Sequence, residues 1–160
     1  MKSVVIYYSF SGNTRLVAVS LREFLSLRGE VDFLDLKVKD ESSSFLGQAA
    51  RAFRHIKADL QPVNFNLQQY DLICFGSPVW AFGPAPAINA YLDKCYGLEN
   101  KKVVLFTTYG SGTGNKRCLD YMQGIVRQKG AGIINRFSIQ QFKIKEKDFI
   151  LSEIRKILPL

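Results

Sequence analysis

A doubly wound α/β fold, a parallel sheet with helices on both faces, is what the 160 residues predict. Short apolar runs without polar alternation recur along the chain, as strands buried on both faces require. Each is followed by a stretch with helical apolar spacing. Hydrophobic residues make up 47% and charged residues 22% of the chain, which excludes disordered, collagenous and low-complexity classes, and the length fits one domain spanning residues 1–160.

The elements follow in order. Val4 to Tyr8 is the first strand, and Val17, Leu21, Phe24 and Leu25 stripe a helix that Gly29 stops. Val31 to Leu36 is a second strand. Ser42 to Ser44 offer a cap to a helix with Phe45, Ala49, Phe53 and Ile56 in register, and Arg51, Arg54 and Lys57 form its solvated face. Leu72 to Phe75 is the third strand. Pro84 and Pro86 open the next helix, striped by Ile88, Tyr91, Leu92, Cys95 and Tyr96 and ended by Gly97. Val103 to Phe106 is strand four, Cys118, Met122, Ile125 and Val126 stripe a helix closed by Gly130, Ile133 to Ile139 is strand five, and Ile150, Ile154, Ile157 and Leu158 stripe the last helix.

The longest strictly apolar run is Val4 to Tyr8, far short of the roughly 20 residues of a bilayer span or the 7 to 15 of a signal-peptide core. Cys74, Cys95 and Cys118 are odd in number and form no C-x-x-C, so reduced thiols in a cytoplasmic protein are expected, with no disulfide framework and no metal site. His55 has no acidic or cysteine neighbour at ligand spacing and reads as a surface histidine. The net charge of +8 comes entirely from residues 101–160, which suits an anionic partner. No basic run exceeds two residues, which argues against nucleic acid.

In an open doubly wound sheet the ligand lies beyond the carboxyl ends of the strands, where strand order reverses. The loops after strands one, three and four are therefore the candidate site. The first is Ser9, Phe10, Ser11, Gly12, Asn13 and Thr14, hydroxyls around one glycine at a helix N-terminus, which has the composition and position of a phosphate cradle. The sequence has no G-x-x-x-x-G-K-[ST], and Gly110, Gly112 and Gly114 are not spaced as in the dinucleotide fingerprint, so one terminal phosphate fits better. The second loop, Ser77, Pro78, Val79, Trp80, Ala81, Phe82 and Gly83, brings aromatic and apolar surface. Core tryptophan is unusual in a proline-rich turn, so Trp80 is expected to matter more to a ligand than to the fold. The third loop, Thr107, Thr108, Tyr109, Gly110, Ser111 and Gly112, adds small polar donors and a second aromatic ring. Together they describe a ligand with an anionic tail and a planar ring.

Tyr8 to Thr14, Phe75 to Trp80 and Phe106 to Gly112 resemble, in order and spacing, the three FMN-binding loops of the flavodoxin family. The resemblance covers nearly the whole chain. It implies a flavodoxin-like sandwich of the short-chain form, with a five-stranded parallel sheet in the order 2-1-3-4-5. It places FMN phosphate on Ser9 to Thr14 and the ring against the other two loops. Electron-carrier flavodoxins surround the flavin with carboxylates, whereas residues 72–92 and 103–115 here carry no charge. The absence of like charges around a reduced flavin favours two-electron chemistry. That departure, with Pro78-Val79-Trp80 and Pro84-Ala85-Pro86, is closer to the broader flavodoxin-like oxidoreductases, among them NAD(P)H:quinone reductases, some of them multimeric.

The expected function is that of an FMN-binding redox protein in which the flavin carries the chemistry, with no catalytic triad or acid–base pair. As a carrier it would exchange electrons with a partner protein. As an enzyme it would take them from NAD(P)H and pass them to a quinone or other small acceptor. A flavin-free binding module that kept the fold is the third reading.

Overall fold

The computed structural model describes residues 1–39, 58–110 and 112–159. Its sheet runs in the order β2 (Glu30–Asp35), β1 (Lys2–Tyr7), β3 (Leu72–Trp80), β5 (Lys102–Tyr109) and β6 (Ile133–Gln140), with β3 in the middle. All four neighbouring pairs are parallel, in register Tyr7↔Asp35, Ile6↔Phe75, Phe75↔Leu105 and Phe106↔Phe137. This is the predicted order, with one addition: β4 (Gly83–Pro84) folds back antiparallel on Val79 and Trp80. The chain runs outward from β1 to β2 and then returns to β3. The reversal therefore lies between the carboxyl ends of β1 and β3, where Tyr8 N–H donates to Gly76 carbonyl at 3.1 Å.

Alternation of side chains sends each strand's residues to two separate cores. Val4, Ile6, Ile73, Phe75, Val103 and Leu105 meet α2 (Pro86–Lys94) and α3 (Asn115–Gln128). Val5, Tyr7, Leu72, Cys74, Val104 and Phe106 meet α1 (Asn13–Ser26) and α4 (Lys147–Ile157). Being covered on both faces is why these strands are apolar throughout. Gly76 is required by close approach, since a Cβ there would lie 2.0 Å from the buried Phe106 ring.

The predicted faces of α1, α3 and α4 are the ones that turn inward, with Val17, Leu21, Phe24 and Leu25, then Cys118, Met122 and Val126, then Ile150 and Ile154 buried. Three local expectations differ. Pro84 belongs to β4, so the helix begins at Pro86, and it ends at Lys94 because Cys95 is extended (φ −67°, ψ 151°); Tyr96 is thereby left exposed. Strand β3 does not stop at Phe75 but runs through Trp80, and β5 runs through Tyr109. Beyond Gly76 the parallel partner of β3 is β5 alone, so a residue lacking an N–H, Pro78, is tolerated there. The helix expected around Phe45 to Ile56, its basic face and His55 lie outside the described residues.

All three cysteines are free and buried, and burial raises their thiol pKa values, to about 11 for Cys95 and about 12 for Cys118. Thiolate is the reactive form. In native protein at pH 8 none of the three should react with a thiol reagent, and all three should react after unfolding; rapid labelling of any one in the native state would contradict this packing. Among the described residues no helix is long and apolar enough to cross a membrane.

Candidate functional site

Helix α1 starts without a side-chain cap: Gly12 takes the left-handed conformation at φ 93°, its carbonyl accepts from Leu16 N–H at 3.1 Å, and the first turn carries no acidic residue. The N–H groups of that turn and the positive end of the helix dipole thus favour an anion. A Cβ on Gly12 would meet nothing within 4 Å, so the space in front of the turn is open. Ser9 supports the loop by accepting Arg15 N–H on its Oγ at 3.2 Å.

This helix end opens into a cavity of about 310 Å³, lined by Ser11, Asn13, Pro78, Val79, Trp80, Thr108, Tyr109, Gly110 and Gln141. The first eight come from the three predicted loops, which the fold brings together at the strand reversal. The site is bipartite, with helix N–H groups at one end and the carbon surface of Pro78, Val79 and Trp80 at the other. A molecule with an anionic tail and a flat ring matches both ends, so the residues present fit FMN.

The other predicted residues, among those described, do not line the cavity directly, and their contacts are these. Thr14 is buried and its Oγ1 lies 2.8 Å from Thr108 Oγ1, tying the first loop to the third. Ser77 is fully buried; its hydroxyl donates to Pro78 carbonyl at 2.9 Å and accepts from Ala85 N–H at 2.8 Å, closing the turn before α2. Thr107 points to the opposite face of the sheet from Thr108, and its buried hydroxyl has no partner. Gly83 pairs with Trp80 in the β3–β4 hairpin. Phe82 packs over Gly114, under the Arg117 guanidinium, and does not line the cavity. Phe10 is exposed and meets Trp80 edge-on, ring centroids 5.8 Å apart. Gly112 lies beside Gln140, and Ser111 is outside the described residues.

Trp80 is both a wall of the cavity and a member of the core, 5% exposed and packed edge-on against Tyr8. The reversal after it places Ala81 and Phe82 at φ 46° and 66°. Two consecutive left-handed residues fit a two-residue hairpin turn, but that turn usually takes Asn-Gly. The strain fixes the end of β3 against the cavity.

Gln141 was not among the predicted residues. It opens the 3-10 turn Gln141–Lys143 directly after β6, and its only sequence signal is its place at the carboxyl edge of an outer strand.

Replacing Gly12 with Ala places a side chain in left-handed backbone, which costs about 1 to 2 kcal/mol. Its methyl also enters the open space before the helix. The expected result is a modest loss of stability in thermal melts and a larger loss of FMN affinity; unchanged FMN affinity would show that the cradle is elsewhere.

The family model for NADPH-dependent FMN reductase matches residues 1–143. No curated protein matches the chain. Among solved structures the chain is similar to a flavoprotein in complex with FMN from Lactobacillus acidophilus NCFM, at 23% identity and TM-score 0.69, with 98% of each chain covered. It is similar to a protein assigned as a flavoprotein from Bacteroides eggerthii DSM 20697, at 17% identity and TM-score 0.74, with 99% of each chain covered. Oxidised Flavodoxin 2 from Bacillus cereus superposes with TM-score 0.62 at 18% identity, covering 98% of this chain and 99% of that one.

Proposed function

Because the chain belongs to the NADPH-dependent FMN reductase family, we propose that this FMN-binding, flavodoxin-like redox protein is an enzyme that oxidises NAD(P)H and reduces a small acceptor. The observation that carries the reading is the bipartite cavity, where an uncapped helix N-terminus and the Trp80 wall face one space. FMN, when bound, supplies the redox chemistry, taking two electrons from the nicotinamide and releasing them to the acceptor. The backbone from Ser9 to Thr14 would hold its phosphate, and Pro78, Val79, Trp80, Thr108, Tyr109 and Gly110 would line its ring.

The chain's own residues bind and orient. Thr14 and Thr108, joined through their hydroxyls, keep the phosphate end and the ring end at a fixed separation. Ser77 locks the turn behind Trp80. Trp80, Pro78 and Val79 exclude water from one side of the cavity. Among the described residues the cavity lining includes no carboxylate, so none of them opposes the negative charge that reduction brings. The three buried thiols suit a reducing cytoplasm. Single-electron delivery to an acidic partner protein is the second reading, and the observation in its favour is the charge of +8, all of it in residues 101–160.

Anaerobic mixing of the FMN-loaded protein with NADPH or NADH, followed at the flavin absorption bands, tests the proposal. Bleaching within the time of a turnover is expected. Flavin left oxidised by both nucleotides would overturn the enzyme reading in favour of the carrier.

A further inference from the structure

The geometry points to Gln141 as a cofactor-binding residue that holds the polar edge of the flavin ring, an inference that rests on the cavity being the FMN site. Gln141 lines that cavity from a segment outside all three loops. Two contacts fix it there. Gln140 Nε2 donates to Gly110 carbonyl at 3.1 Å, and Ile144 N–H donates to Gln141 carbonyl at 3.3 Å, with Ile144 buried beneath. The Gln141 side chain lies so close to Gly110 that a Cβ there would sit 3.3 Å from Nε2. The amide and the third loop thus form one surface.

The chemistry of the other lining groups leaves this amide a task. The pyrimidine end of an isoalloxazine ring presents two carbonyls and an N–H, and needs both donors and an acceptor. The side chains of Pro78 and Val79 offer carbon, while the Trp80 indole N–H and the Tyr109 hydroxyl each offer one donor at most, short of two donors and an acceptor in one plane. Thr108 is engaged with Thr14, and Ser11 and Asn13 belong to the α1 end, where the phosphate sits. A primary amide supplies two donors and an acceptor in one plane. Gln141 is the side-chain amide that lines the cavity next to the third loop.

The test compares unsubstituted protein with Gln141→Ala and Gln141→Glu, each titrated with FMN, riboflavin and lumiflavin, the bare ring. Gln141→Ala should weaken all three by a similar factor, about tenfold for one hydrogen bond to a ring already buried. Ser11→Ala should weaken FMN alone. Gln141→Glu should lower the potential of the bound flavin at neutral pH and less so in acid, where the new carboxyl is protonated. A purely supporting role against Gly110 predicts instead a lower melting temperature with unchanged flavin spectrum and potential, and that result overturns the assignment. So does a Gln141→Ala loss confined to FMN, or no loss at all. If the unsubstituted protein bound none of the three flavins, the FMN-site reading itself would fall, an outcome distinct from equal binding by both proteins.

Discussion

FMN should bind roughly a thousandfold more tightly than riboflavin, because the proposed phosphate site at the α1 end of the cavity takes the one group that distinguishes them. Three charge-assisted hydrogen bonds to the phosphate, at about 1.5 kcal/mol each, give about 4.5 kcal/mol. The donors are the N–H groups of a helix turn whose N-cap residue offers no side-chain bond and which carries no acid; of these, Arg15 N–H is shared with Ser9 Oγ. Calorimetric titration of the two ligands measures the difference directly; equal affinities would remove the phosphate from this loop. Ser11 lines the cavity, and Ser11→Ala should cost about 1 to 3 kcal/mol for FMN while leaving riboflavin unchanged. Thr14→Ala is expected to behave differently from its sequence-based reading as a plain phosphate ligand. Its buried hydroxyl is bonded to Thr108, so its loss strands a second buried hydroxyl and costs about 1 to 3 kcal/mol of fold stability as well.

The sheet and the helices α1, α3 and α4 were legible because both signals they depend on, continuous apolar strands and 3.6-residue stripes, are local in sequence. The position of the Ser9 to Thr14 loop at the start of α1, beside the cavity, was legible for the same reason: a glycine among hydroxyls between a strand and a helix marks a local helix start. What local pattern could not give was how far each strand runs into its loop. Gly76-Ser77-Pro78 reads as a break, yet pairing with β5 carries β3 on to Trp80, and this is set by a neighbour in register from Leu72↔Lys102 to Pro78↔Thr108. The fate of Ser77 is similar. Its hydroxyl looks available in sequence, and only the turn into α2 shows it already bonded at both ends. The position of the Phe82 ring was not legible, because its backbone is left-handed, which no aromatic residue advertises and which sets the ring against Gly114. Gln141 carries only the weak signal of its place after an edge strand, where a glutamine is usually a solvated residue.

Trp80 is where the sequence reading and the packing diverge most, and it yields the second large effect. Read as a turn residue, it should affect the ligand more than the fold. In the structure it is 5% exposed, belongs to the core cluster with Ala85 and Ile88, and meets both Tyr8 and Phe10 at 5.8 Å between ring centroids. Removing a buried indole leaves a cavity, so Trp80→Ala should cost about 3 to 5 kcal/mol. For a chain of this size that lowers the melting temperature by roughly 10 °C. Trp80→Phe keeps most of the volume and should cost about half as much or less. Trp80 also lines the cavity, so FMN should quench the emission of this single tryptophan, and saturating FMN should restore part of the lost stability by mass action on the native state. Melting curves of both variants with and without FMN, together with the fluorescence of the unsubstituted protein, separate the two roles. A Trp80→Ala protein that melts within about 2 °C of the unsubstituted one would remove Trp80 from the core, and unquenched emission in the FMN-loaded protein would remove it from the cavity wall. Both effects are expected, because the indole that forms the cavity wall is also packed into the core between α2 and the sheet.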